Sequence, residues 1–146
     1  MERRTFLRHG CLACLSALAV PSLLSGCAGS AHITGTLSGE DLVVPRTAFG
    51  DMSTGKQRAF IVVHQASLRY PIAVFRASGD AYQAVLLRCT HQGAELRATE
   101  DALYCPSHGS TFSPAGAVVK GPATEALRTL PVRSDAQDLF ISLKKA

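Results

Sequence analysis

A chain of 146 residues with a formal charge of +4 is long enough for one compact domain and too short for two. Its 15 Lys and Arg stand against 11 Asp and Glu, and no basic stripe is interleaved with aromatics, which argues against nucleic acid as a partner. Five cysteines do not amount to a disulfide scaffold once the N-terminus is set aside.

Met1–Arg8 reads MERRTFLR and places Arg3, Arg4 and Arg8 ahead of the apolar run Cys11–Leu24, which Pro21 interrupts. The run falls short of the roughly 18–20 residues that a spanning helix needs, so a cleaved signal peptide fits it better than a permanent anchor. Arg3-Arg4-Thr5-Phe6-Leu7-Arg8 resembles the twin-arginine export signal, with Glu2 where Ser or Thr is usual. Leu24-Ser25-Gly26-Cys27 resembles a bacterial lipobox. Together they imply a signal peptide over residues 1–26, lipid on Cys27, and a domain held to a membrane on its periplasmic side. In lipoproteins of this kind the absence of Asp after the lipid-bearing Cys, here Ala28, permits transfer to the outer membrane; the inner membrane is the other address. Processing at Cys27 leaves 120 residues carrying 12 basic and 10 acidic side chains.

Ala28–Glu40 is small, polar and Gly/Ser-rich, and residues 27–40 read as a tether before a domain at 41–146. Beyond it the text is β-like. Runs rich in Val, Ile, Leu, Phe and Tyr predict strands at Ala59–Val63, Ile72–Arg76, Tyr82–Leu87, Leu127–Val132 and Leu139–Leu143. Ser78-Gly79-Asp80 suits a hairpin turn, and Ser134–Asp138 another. No stretch keeps a 3.6-residue period, so the class is all-β, a small antiparallel sandwich or barrel. His32 and His64 have no partner motif and read as ordinary surface or core residues. Asp51, Glu95, Glu100, Asp101 and Glu125 form no acid–base pair, and no nucleophilic triad, phosphate loop or dinucleotide fingerprint is present.

Arg88–Gly116 does not read as core. It is dense in Cys, His, Gly, Pro, Ser and Thr, a long excursion that calls for a function or an internal brace. Within it stand Cys89-Thr90-His91 and Cys105-Pro106-Ser107-His108-Gly109, thirteen residues apart. Two thiols and two imidazoles in two local pairs make a metal-site pattern, each pair reaching one centre from its own loop. A Cys89–Cys105 disulfide and a Cys₂His₂ zinc site compete with an iron–sulfur cluster for the same residues.

Cys-x-His followed by Cys-x-x-His-Gly resembles the signature of the Rieske family. Gly93, Gly116 and the stretch Gly121-Pro122-Ala123, which is similar to the family's proline loop, extend the likeness across most of the chain after Cys27. The resemblance implies a Rieske-like antiparallel β fold with a cluster-binding loop subdomain at about 88–116 and the proline loop at 121–123. It implies a 2Fe–2S cluster, with Cys89 and Cys105 on one iron and His91 and His108 on the other. In the high-potential respiratory branch a disulfide braces the two loops. Ala94 and Ser107 hold those positions here. That branch also donates hydrogen bonds to sulfur from a Ser and a Tyr. Ser110 is kept, and Phe112 lacks the hydroxyl, so the resemblance implies an intermediate potential. The implied activity is one-electron transfer between redox partner proteins, with no small-molecule substrate and no catalytic residue of the chain's own. The alternative is a small electron-transfer subunit of a larger periplasmic or membrane oxidoreductase, a quinol-oxidising one included.

Overall fold

The computed structural model describes residues 30–52 and 54–144, so Arg3–Arg8, the lipobox and the proposed lipid site Cys27 lie outside the described residues. In chain order the strands are β1 (Ala31–Thr34), β2 (Thr36–Ser38), β3 (Asp41–Pro45), β4 (Phe60–His64), β5 (Ile72–Arg76), β6 (Tyr82–Leu86), β7 (Arg97–Ala98), β8 (Leu103–Tyr104), β9 (Thr111–Phe112), β10 (Val118–Lys120), β11 (Thr129–Leu130), β12 (Val132–Ser134) and β13 (Asp138–Ser142). A single 3₁₀ turn at Arg46–Phe49 is the only helical element among the described residues. No described helix is long and apolar enough to cross a membrane.

The strands form three sheets, ordered β1-β4-β5-β6-β11, β12-β13-β3-β2 and β10-β9-β8-β7. The five-stranded sheet lies in the middle with both faces covered. Ile61, Val63, Ile72, Val74 and Ala84 point to one face, where Leu42, Val44, Leu139 and Ile141 of the second sheet meet them. Phe60, Val62, Ala73, Phe75 and Val85 point to the other, toward Leu103 and Phe112 of the small sheet. Successive strand residues face opposite sides. A strand covered on both sides therefore reads as an unbroken apolar run, as FIVVH and IAVFR do. β13 has one covered face, and its burial alternates accordingly.

Four segments differ from the sequence reading. The first is Arg88–Gly116, which carries the short strands β7, β8 and β9 and gives Leu96, Leu103 and Phe112 to the core because the excursion folds back on the middle sheet. Half of the tether, residues 31–34 and 36–38, is strand: β1 pairs in parallel with β4, and β2 pairs with β3. Polar, small residues suit these positions because β1 and β2 are edge strands whose outer faces meet solvent. Gly35 joins them and is buried. A Cβ there would stand 2.7 Å from the Leu42 side chain and 2.9 Å from that of Val63, so the two sheets close over a residue without one. The run Leu127–Val132 is two strands. β11 pairs with β6 and β12 with β13, and Pro131 between them has no N–H to continue either ladder. β3 is an unanticipated strand, held between β2 and β13.

His32 and His64 are partners after all. Their strands run side by side, Nδ1 of His32 lies 2.9 Å from Nε2 of His64, and the rings stack at 5.1 Å.

Candidate metal centre

Two loops of the small sheet's layer are built alike. After β6, the Cys89 N–H donates to the Ala94 carbonyl at 2.8 Å, and the Gly93 N–H donates back to the Cys89 carbonyl at 2.9 Å. After β8, the Cys105 N–H donates to the Ser110 carbonyl at 2.8 Å, and the Gly109 N–H to the Cys105 carbonyl at 3.0 Å. Each loop is thus a tight turn opened by the cysteine and reversed at its fifth residue. The fifth residue is glycine because the reversal needs φ +73° at Gly93 and +79° at Gly109, a region that side chains disfavour.

A third segment closes over both loops. Gly121 and Pro122 are exposed and joined by a cis peptide bond, and Ala123 behind them is buried. The Ala123 N–H donates to Ser110 Oγ at 3.0 Å, and Thr90 Oγ1 donates to the Glu125 carbonyl at 2.7 Å. From the scaffold side, the Tyr70 hydroxyl donates to the Gly93 carbonyl at 2.7 Å.

This frame brings the four sequence-predicted donors together as two pairs. Cys89 and Cys105 are both free thiols and each is 1% exposed, on the inner side against the core. His91 and His108 stand edge to face with ring centres 4.9 Å apart; His91 is half-buried and His108 is exposed. Nδ1 of His91 is buried without a hydrogen-bond partner among the described residues. A buried imidazole nitrogen left unpaired is costly unless a ligand takes it. Among the described residues no three His, Cys, Asp or Glu side chains close on the position of a single ion. Sulfur inside and nitrogen outside fits a cluster with unlike ends better than a tetrahedral zinc site.

Burial works against ionisation of the Cys105 thiol, but hydrogen bonds from the His108 and Ser107 amides, with side-chain bonds from Cys89 and Ser107, outweigh it. The thiol is held below its ordinary value, toward the thiolate that binds metal. Ser110 is fully buried, and having accepted from Ala123 it keeps its own hydroxyl proton to donate. Phe112 is also fully buried and has no donor to offer. The sequence did not signal Tyr70 or Thr90. Their carbonyl partners lie 23 and 35 residues away, and a carbonyl carries no side-chain identity to match.

Comparison with known proteins agrees with this geometry. The profile of the Rieske [2Fe-2S] domain matches residues 43–131, more than half the chain. YhfW of Bacillus subtilis, whose name places it among Rieske 2Fe-2S iron–sulfur proteins, is 33% identical over 88 residues; the match covers 59% of this chain and 16% of that longer protein. The ferredoxin subunit of 3-phenylpropionate/cinnamic acid dioxygenase from Shigella boydii is 36% identical over 80 residues, 51% of this chain and 74% of that one. In fold, the plasma membrane Rieske protein PetC3 of Synechocystis PCC 6803 superposes with a TM-score of 0.53 at 24% identity, over 68% of this chain and 98% of that one. With a matching domain, an all-β layered fold and a two-thiol, two-imidazole centre, the chain belongs to the Rieske family, whose members take a 2Fe–2S cluster and transfer electrons.

Proposed function

We propose that this chain is an exported, lipid-anchored electron carrier in which Cys89 and Cys105 bind one iron and His91 and His108 the other. The observation that carries the ligand assignment is the buried thiol pair beneath an imidazole pair in edge contact, with His91 Nδ1 unpaired. When bound, such a cluster supplies a one-electron couple within roughly −150 to +300 mV. The protein's part is to hold the thiolates dry and the imidazoles outward. Cys105 is kept toward thiolate by the amides of its own turn, Ser110 presents a buried hydroxyl proton, and Ala123 seals the side the third segment covers. Exposed His108 offers the shortest path to a partner's redox centre.

The chain serves separate redox proteins rather than a substrate of its own, a reading supported by its likeness to a ferredoxin subunit. A second reading makes it a small subunit of a larger periplasmic or membrane oxidoreductase. Co-purification of a stable larger subunit from the native host would select the second. Export and lipidation rest on Arg3–Arg8 and on Leu24–Cys27. Labelled palmitate should enter the wild type and not Cys27→Ser.

The decisive test is an EPR spectrum of the dithionite-reduced full chain with iron and sulfide assays. Iron and sulfide in equal amounts, lost in Cys89→Ser and Cys105→Ser, are expected. Equimolar zinc, or iron without sulfide, overturns the reading.

A further inference from the structure

The two cysteine loops have the same internal turn and unequal external support. The second loop exposes Pro106, Ser107, His108 and Gly109. Its hydrogen bond to the third segment comes at its far end, from Ala123 to Ser110. The first loop is gripped on both flanks of its histidine. Thr90, one residue before His91, donates to the Glu125 carbonyl of the third segment. Gly93, two residues after it, receives the Tyr70 hydroxyl from the connection between β4 and β5.

These two bonds come from two different elements, and both are short, at 2.7 Å. The Tyr70 hydroxyl and Arg88 Nε both lie beside Gly93, each 3.5 Å from where a Cβ would stand. The Arg69 guanidinium lies 5.3 Å from the Tyr70 ring centre and packs over it. The five-residue turn Cys89–Gly93 is closed by its own Gly93-to-Cys89 bond, so pinning Thr90 and Gly93 leaves His91 little freedom to tilt.

We propose that Tyr70 and Thr90 are positioning residues that fix the His91 imidazole, making the first loop the rigid end of the centre and leaving the second loop, with His108, as the adaptable end that meets partners. This rests on the ligand assignment above. Outer groups that orient a ligating histidine set ligand geometry as well as affinity.

The test uses the full chain purified with its cluster, compared with Tyr70→Phe, Thr90→Val, the double variant and Thr90→Ser. Tyr70→Phe and Thr90→Val keep the shape of the side chain, and Thr90→Ser keeps the hydroxyl while losing the methyl. Two quantities are read: the rate at which visible absorption bleaches under excess iron chelator, and the line widths of the reduced EPR spectrum. Losing one neutral hydrogen bond, ~1 kcal/mol, corresponds to about fivefold in rate, and the double variant should approach 25-fold. Line widths should broaden in Tyr70→Phe and Thr90→Val and return to wild type in Thr90→Ser.

Faster bleaching with unchanged line widths would mean the bonds only stabilise the loop, and would overturn the positioning role. So would Thr90→Ser behaving like Thr90→Val, including both purifying empty. Thr90→Val purifying empty while Thr90→Ser is loaded supports it. If the wild type itself holds no iron and sulfide, the ligand assignment fails. If it is loaded and the variants match it, only this inference does.

Discussion

Ser110→Ala separates two jobs of one hydroxyl. Ser110 is fully buried, and its oxygen accepts the Ala123 N–H at 3.0 Å. Removing it leaves that amide unpaired at a residue 4% exposed, which costs about 1–3 kcal/mol and loosens the third segment. The same substitution removes the remaining hydroxyl proton, the donor assigned to cluster sulfur. A bond to sulfur strengthens as charge is added. If it favours the reduced form by ~1 kcal/mol, a one-electron couple moves down by about 40 mV. Protein-film voltammetry reads the potential, and a thermal melt followed at the cluster's visible absorption reads the stability. Ser113→Ala is the control, since Ser113 Oγ also accepts an amide, that of Ala117 at 3.2 Å, in the turn between β9 and β10. Its potential should stay within about 10 mV of wild type, well inside the shift expected at Ser110. An unchanged or raised potential in Ser110→Ala would refute the donor assignment, and an unchanged melt would refute the sealing role of Ala123.

Phe112→Tyr adds the hydroxyl that Phe112 lacks in a fully buried position, so the potential should rise. A stability loss of about 1–3 kcal/mol with no rise would mean the hydroxyl finds no sulfur. Gly35→Ala forces a Cβ to within 2.7 Å of Leu42 and 2.9 Å of Val63, and urea unfolding should show about 1–3 kcal/mol lost. A midpoint equal to wild type would contradict the close approach of the two sheets there. Asp135 accepts the amides of Asp138 at 2.7 Å and Gln137 at 2.8 Å, and these bonds, with Arg46 nearby, hold its carboxyl below the usual carboxylate range. A depressed folded value contributes stability above the unfolded value near pH ~3.9, lost as pH falls through the folded one. Acid melts of Asp135→Asn should therefore fall less steeply below pH ~4 than wild type, and parallel curves would refute the contribution.

The four candidate donors were legible because their identity and spacing are local. A cysteine and histidine two or three residues apart form a pair in any fold that lets the loop turn, and Gly93 and Gly109 are the only residue type that turns there freely. The β class was legible for a related reason: FIVVH and IAVFR are too apolar for a surface and too short for a helix. Residues 31–38 were misread because edge strands carry no apolar signature. Their strand character comes from β3 and β4 lying alongside. The His32–His64 contact was hidden in the same way, since it depends on which strand became β4's neighbour.

The amino-acid sequence by itself determined the candidate donor set, two thiols and two imidazoles in paired loops, because side-chain chemistry and short spacings survive in one dimension. Tertiary structure alone decided how that set is held: which thiols are dry, which imidazole faces solvent, and that Tyr70, Ala123 and Glu125 lock the loops from outside. These last contacts join a hydroxyl to backbone groups 13 to 35 residues away. Backbone groups are alike at almost every position, so only the packing of the three sheets selects the one that is met.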